Sequence, residues 1–122
     1  MSTRTMESKK GTIYVLNSMI IPLATDVESA VVHLQKVPAE EVSMLLHEHP
    51  FVSAVGHDAT AQLLSTLLDV DISMNRIQVS AKPGDVLILF RLHSRLPEGT
   101  VIRQKHQLDQ IGYDLYIARI YE

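Results

Sequence analysis

A chain of 122 residues, 46% of them hydrophobic, with no cysteine and a formal net charge of -3, fits one globular domain around one core, small enough that pairing into a dimer would help cover its apolar surface. The absence of cysteine excludes disulfides, thiolate chemistry and zinc sites built on Cys, and the acidic balance argues against broad electrostatic binding to long nucleic acid while leaving room for a small anionic ligand. The longest apolar runs, such as Val86 to Phe90, are too short to span a bilayer and the opening Met-Ser-Thr-Arg-Thr-Met-Glu is no signal peptide, so no membrane contact and a cytoplasmic location are expected.

Residues 1–11, polar and nearly free of apolar side chains, read as a disordered tail, leaving 12–122 as the domain. Thr12 to Leu16 is β-branched and aromatic and predicts a buried strand. It ends at Asn17-Ser18, where side chains either contact a ligand or simply hydrogen-bond the turn. An apolar hook, Met19 to Leu23, follows. Glu28 to Val37 predicts a second strand. Pro38 then opens a helix with Glu40 and Glu41 in its first turn, Val42, Leu45 and Leu46 as its apolar stripe and Pro50 as its stop. His47-Glu48-His49 closes that helix. Ligands on a helix are best spaced three or four apart, and an i, i+2 pair points apart, so the two histidines are read as complementing the helix dipole and no metal or cofactor is expected.

Ser53-Ala54-Val55-Gly56-His57-Asp58-Ala59-Thr60 is a small-residue turn leading into a helix whose Leu63, Leu64, Leu67 and Leu68 recur at helical spacing up to about Asp69. A helix N-terminus offers unpaired N–H groups and the positive end of a dipole to an anion. Gly56 would let a ligand come close to the backbone, and His57 would stand beside a bound phosphate as a proton donor. The simpler alternative is that His57 merely follows a turn, its ring capped by a polar neighbour.

Val70 to Met74 links to a predicted strand, Asn75 to Lys82, with Ile77, Val79 and Ala81 on one side. Lys82-Pro83-Gly84-Asp85 reads as a turn, so that strand is expected to pair in a hairpin with the next, Val86 to His93. Toward its end Arg91, His93 and Arg95 fall on one face. From Arg76 to His106 the chain carries six Lys or Arg against two acids, and arginine suits phosphate because its planar fork donates two hydrogen bonds at once. A solvated edge is the alternative. The loop Ser94 to Gly99 brings Arg95 near Glu98, either as a pair that holds the guanidinium toward a phosphate or as a plain surface ion pair. Gln104 to Ile111 predicts a short helix ended by Gly112, and Tyr113 to Tyr121 a last strand. The expected fold is a single α/β domain with a mixed, mainly antiparallel sheet of about five strands flanked by helices, in the order β-β-α-α-β-β-α-β.

Five of these segments, Tyr14 to Ser18, Ser53 to Thr60, Met74 to Ile77, Arg95 to Gly99 and Ile111 to Tyr113, stand in an order and spacing that resembles the viral anti-CRISPR ring nuclease family over residues from about Thr12 to Ile120. That family degrades cyclic tetraadenylate and so silences the ancillary nucleases of type III CRISPR systems. The resemblance implies a homodimer with the ring bound across the two-fold axis, a symmetry that four identical nucleotides can match. It implies His57 as the catalytic acid, with Arg95 and Glu98 in the same machinery, and Asn17, Ser18, Gly56, Asp58 and Arg76 as ligand-binding positions. The departure is Ala59, which places no hydroxyl beside His57, and no role is carried onto Arg91 or His93. The expected reaction needs no metal: the ribose 2′-OH attacks its own phosphate, His57 protonates the departing 5′-oxygen, and linear diadenylates with 2′,3′-cyclic phosphate ends result. A non-catalytic dimer that binds a cyclic oligonucleotide or a protein is the alternative. A DNA-binding regulator is disfavoured by the charge and by the lack of a helix-turn-helix signature.

Overall fold

The structure, a computed structural model, describes residues 11–95 and 104–122. Among these residues five strands and three helices follow one another as β1 (Ile13–Leu16), β2 (Val31–Lys36), α1 (Ala39–Glu48), β3 (Val52–Ala54), α2 (Asp58–Leu68), β4 (Val86–Leu92), α3 (Lys105–Ile111) and β5 (Tyr113–Tyr121). The strands form one sheet in the order β2-β5-β4-β1-β3. Both pairings of β5 are antiparallel, and both pairings of β1 are parallel. The antiparallel pairings are the longer, seven and six residue pairs against four and three. This is the expected α/β domain with a mixed five-stranded sheet. No helix among the described residues is long and apolar enough to cross a membrane.

Period-two alternation divides the sheet residues between two cores. Val15, Ile88, Phe90, Leu115 and Ile117 face the helices, where Val42 and Leu46 of α1, Leu64 and Leu68 of α2 and Leu108 of α3 cover them. Leu16, Leu87, Leu89, Ala118 and Ile120 face the other way and meet irregular chain instead, chiefly Met19, Ile21, Val79 and Ala81. Because all three helices lie on one face, the second face is only partly covered. Ile20, Leu23 and Ile77 stay substantially exposed there or beside it.

Two expectations fail, and for one reason. Asn75 to Lys82 is not a strand, and the hairpin with β4 does not form. The segment crosses the helix-free face, tied at its start by the Val55–Met74 bridge and at its end by the Leu23–Ala81 bridge. Both places beside β4 that a hairpin partner would need are taken, by β1 on one side and β5 on the other, and the free side of β1 is taken by Val52–Ala54, which sequence reasoning had assigned to the approach to a turn. Alternation in 75–82 therefore records which side chains point at the sheet, with Val79 and Ala81 buried, and not a ladder partner. The element order is accordingly β-β-α-β-α-β-α-β. Of the tail expected at 1–11, residues 1–10 lie outside the described residues. Gly11 packs so closely on Gly84 that a Cβ there would run into the Gly84 carbonyl.

Candidate functional site

Four strands, β1 to β4, run one way and β5 the other. One end of the sheet therefore gathers the carboxyl ends of four strands, which is where open α/β sheets hold their ligands. Asn17 and Ser18 leave β1 there, half-buried. Two residues after Ala54 the chain reaches Gly56, then the exposed His57 and Asp58.

The turn after β3 is held by its neighbour in the crossing segment. The Asn75 backbone N–H donates to Val55 O at 2.8 Å, and its side-chain Nδ2 donates to Ser53 O at 2.7 Å. Ser53, itself buried, donates its hydroxyl to Ser73 O at 2.6 Å and accepts from Val55 N at 3.3 Å. Asn75→Ala is expected to lower stability by about 1 kcal/mol, because the Ser53 carbonyl loses its side-chain donor in a part-buried place. Urea denaturation checks this, and an unchanged midpoint would mean the turn holds itself.

His57 is the N-cap of α2, with extended backbone (φ -127°, ψ 132°), and no side chain caps the helix. Its carbonyl accepts from Ala61 N at 3.0 Å, while the imidazole stands in solvent. The outcome is a helix N-terminus without a side-chain cap and with an accessible imidazole at its mouth. Gly56 is not left-handed, and a Cβ there would only touch Arg76 Cγ at 3.6 Å. The chain's own packing thus does not demand glycine, and what its bareness permits is approach from outside. Asp58 accepts from Gln62 Nε2 at 2.9 Å along the helix. Arg76 donates its Nε to Gly56 O at 2.9 Å, which seats an exposed guanidinium on the same turn with its terminal nitrogens still available. Arg95 is exposed just beyond β4. Glu98 lies outside the described residues, so the Arg95–Glu98 pair does too.

At the other side of the same sheet end, sequence reasoning saw Arg91 and His93 but missed what joins them. Asp114 of β5, only 5% exposed, receives Lys36 Nζ at 3.0 Å and Arg91 Nε at 2.9 Å and lies 3.0 Å from His93 Nε2. These hydrogen bonds, His93's first, hold the Asp114 carboxyl far below the ordinary carboxylate range against the opposing effect of burial, and Asp114 in turn raises the Lys36 ammonium. The sequence showed only that Asp114 is the one acid in β5, Tyr-Asp-Leu-Tyr-Ile-Ala-Arg-Ile-Tyr, without its partners. His47, one of the two histidines at the end of α1, turns back on its own helix, with Nδ1 2.7 Å from Ser43 O. A cavity of about 660 Å³ lies at the opposite end of the sheet, lined by Thr12, Lys82, Asp85 and Arg119 among others, and none of the predicted site residues among the described ones borders it.

The chain is similar to known viral and bacterial proteins. The family model described as STIV B116-like matches residues 13–115. "Uncharacterized protein 26" of Sulfolobus islandicus filamentous virus is 43% identical over 108 residues, covering 88% of this chain and 91% of that protein. "Uncharacterized protein YddF" of Bacillus subtilis is 31% identical over 85 residues, covering 68% of this chain and 78% of its own length. The solved structure of B116 of Sulfolobus turreted icosahedral virus superposes with a TM-score of 0.77 over 89% of this chain and 99% of that one. At 22% identity that likeness speaks for the fold.

Proposed function

This chain belongs to the STIV B116-like family, and from that membership and the His57 turn we propose that it is a metal-independent ring nuclease that opens cyclic tetraadenylate and so switches off the ancillary nucleases of type III CRISPR systems. The observation that carries the reading is the exposed imidazole of His57 at the uncapped N-terminus of α2. A phosphodiester seated on those N–H groups would lie beside the ring. The ribose 2′-OH attacks its adjacent phosphorus and gives up its own proton to water, the bond to the 5′-oxygen breaks, and the imidazolium of His57 gives that oxygen a proton. The helix amides, with Arg76 and Arg95, answer the charge that grows on the phosphate. The nucleophile belongs to the substrate, so the protein's share is orientation, charge and one proton.

A homodimer is part of the proposal. An exposed turn on one chain cannot enclose a ring, whereas a two-fold pair offers two His57 residues to opposite phosphodiesters of a molecule with matching symmetry. Two cuts then yield two linear diadenylates, each ending in a 2′,3′-cyclic phosphate. Asn17 and Ser18, at the neighbouring strand end, supply polar contacts to the ring. A second reading, a dimer that binds a cyclic oligonucleotide without cutting it, draws on one observation. The His57 ring has no hydrogen-bond partner among the described residues to fix its orientation.

The test is to mix the protein with labelled cyclic tetraadenylate in EDTA and follow the products. Linear diadenylate with a cyclic phosphate end is the expected result. Tight binding with the ring intact would give the site to the second reading, and neither binding nor cleavage would remove both.

A further inference from the structure

We infer that the sheet carries a second anion position, formed by Lys36 of β2 and Arg91 of β4 around Asp114 of β5, and that it takes a phosphodiester of an oligonucleotide. The argument rests on the ion-pair geometry and holds whether or not His57 catalyses.

Three strands contribute to the cluster. β5 lies between β2 and β4, so Asp114 sits between two cations that repel each other, and one carboxylate holds both. Lys36 and Arg91 bring two positive charges to one negative, and His93 adds another when protonated. A fastener for the sheet end would be complete with one base. Among the described residues a positive charge is left over, in a chain whose net charge is -3.

The surplus is presented outward. The side chains of Lys36 and Arg91 are 61% and 54% exposed while that of Asp114 is 5% exposed. Arg91 spends only its Nε on the carboxylate, which among the described residues leaves the terminal fork, the part that matches two oxygens of a phosphate. Lys36 spends one donor of three. Both side chains are thus pre-oriented by a buried group, which lowers the entropy lost when they take up an anion. His93 is fixed as well: its N–H donates to Gly112 O at 2.9 Å, and its ring lies over Gly112, where a Cβ would collide with Nδ1. From β4 across β1 to β3 is two strand spacings, about 10 Å laterally. One short oligonucleotide therefore has room to reach both this cluster and the His57 turn.

Linear tetradeoxyadenylate is a suitable probe, since it lacks the 2′-OH and reports binding alone. Titrated into the ¹⁵N-labelled protein, it is expected to shift the Arg91 Nε–Hε resonance and the amides around residues 91–93 and 114. Arg91→Gln and Lys36→Met should each weaken binding about three- to tenfold and lower the salt dependence by about 0.7 in log–log slope, as losing one phosphate contact on a single strand does. His57→Ala should leave the Arg91 shifts in place, which separates this position from the nuclease reading. No binding, shifts confined to residues 56–60, or an Arg91→Gln protein with unchanged affinity and salt slope would each overturn it.

Discussion

His57→Ala is expected to slow the opening of cyclic tetraadenylate about 10²–10⁴-fold, the usual worth of a positioned general acid, while the ring still binds within a few-fold of the unaltered affinity. Binding survives because the substitution leaves the helix amides and the Arg76 guanidinium in place. The fold survives because the imidazole is exposed and forms neither the cap of α2 nor part of either core. Loss of rate by itself does not say what the ring does, so the leaving group is the sharper probe. A substrate whose scissile 5′-oxygen is replaced by sulfur departs as a thiolate and needs no proton. Against that substrate the His57→Ala protein should regain most of the lost rate. Equal loss with oxygen and sulfur would move His57 from proton donor to binding contact, and a loss below about tenfold would send the search for the acid elsewhere on the same strand ends.

What the sequence disclosed and what it concealed follow from how far apart the interacting residues lie. α2 announces itself locally, through four leucines at helical spacing after a small-residue turn, and β5 through nine residues of nearly unbroken strand formers ending a short helix and Gly112. The His57 turn was legible because its elements, Gly56, His57 and the helix start, are consecutive. Arg76 was found by a motif alone, and its bond to Gly56 O spans twenty residues. The segment 75–82 and β3 exchanged identities because alternation reports burial, whereas ladder partners are settled by which neighbours are already paired. Asp114 was hidden for a similar reason. Its partners come from β2 and β4, and no local pattern tells a strand acid facing solvent from one gathering three bases.

That hidden residue sets the largest stability effect expected outside the two apolar cores. Asp114→Ala removes three charge-assisted bonds, each worth about 1.5–3 kcal/mol where both partners are dry. Lys36, Arg91 and His93 are more than half exposed, so they return to water and most of that worth is screened. The deletion also takes the buried charge away with the bonds, avoiding the unpaired ion that makes broken buried pairs so costly. A loss of about 2 kcal/mol at pH 7 is the balance. Its pH dependence has a definite sign. The native carboxyl holds its proton less tightly than the same residue in the unfolded chain, so between those two values the unfolded state binds more protons and acid favours unfolding. The contribution is complete above the ordinary aspartate value of about 3.9 and fades as pH falls below it, by about 1 kcal/mol at pH 3. Urea denaturation of the unaltered and Asp114→Ala proteins should therefore show a gap that narrows between pH 7 and pH 3, the other carboxylates cancelling in the difference. A gap that stays constant would mean that the carboxylate's charge is not what holds the three bases, and that the cluster survives as packing.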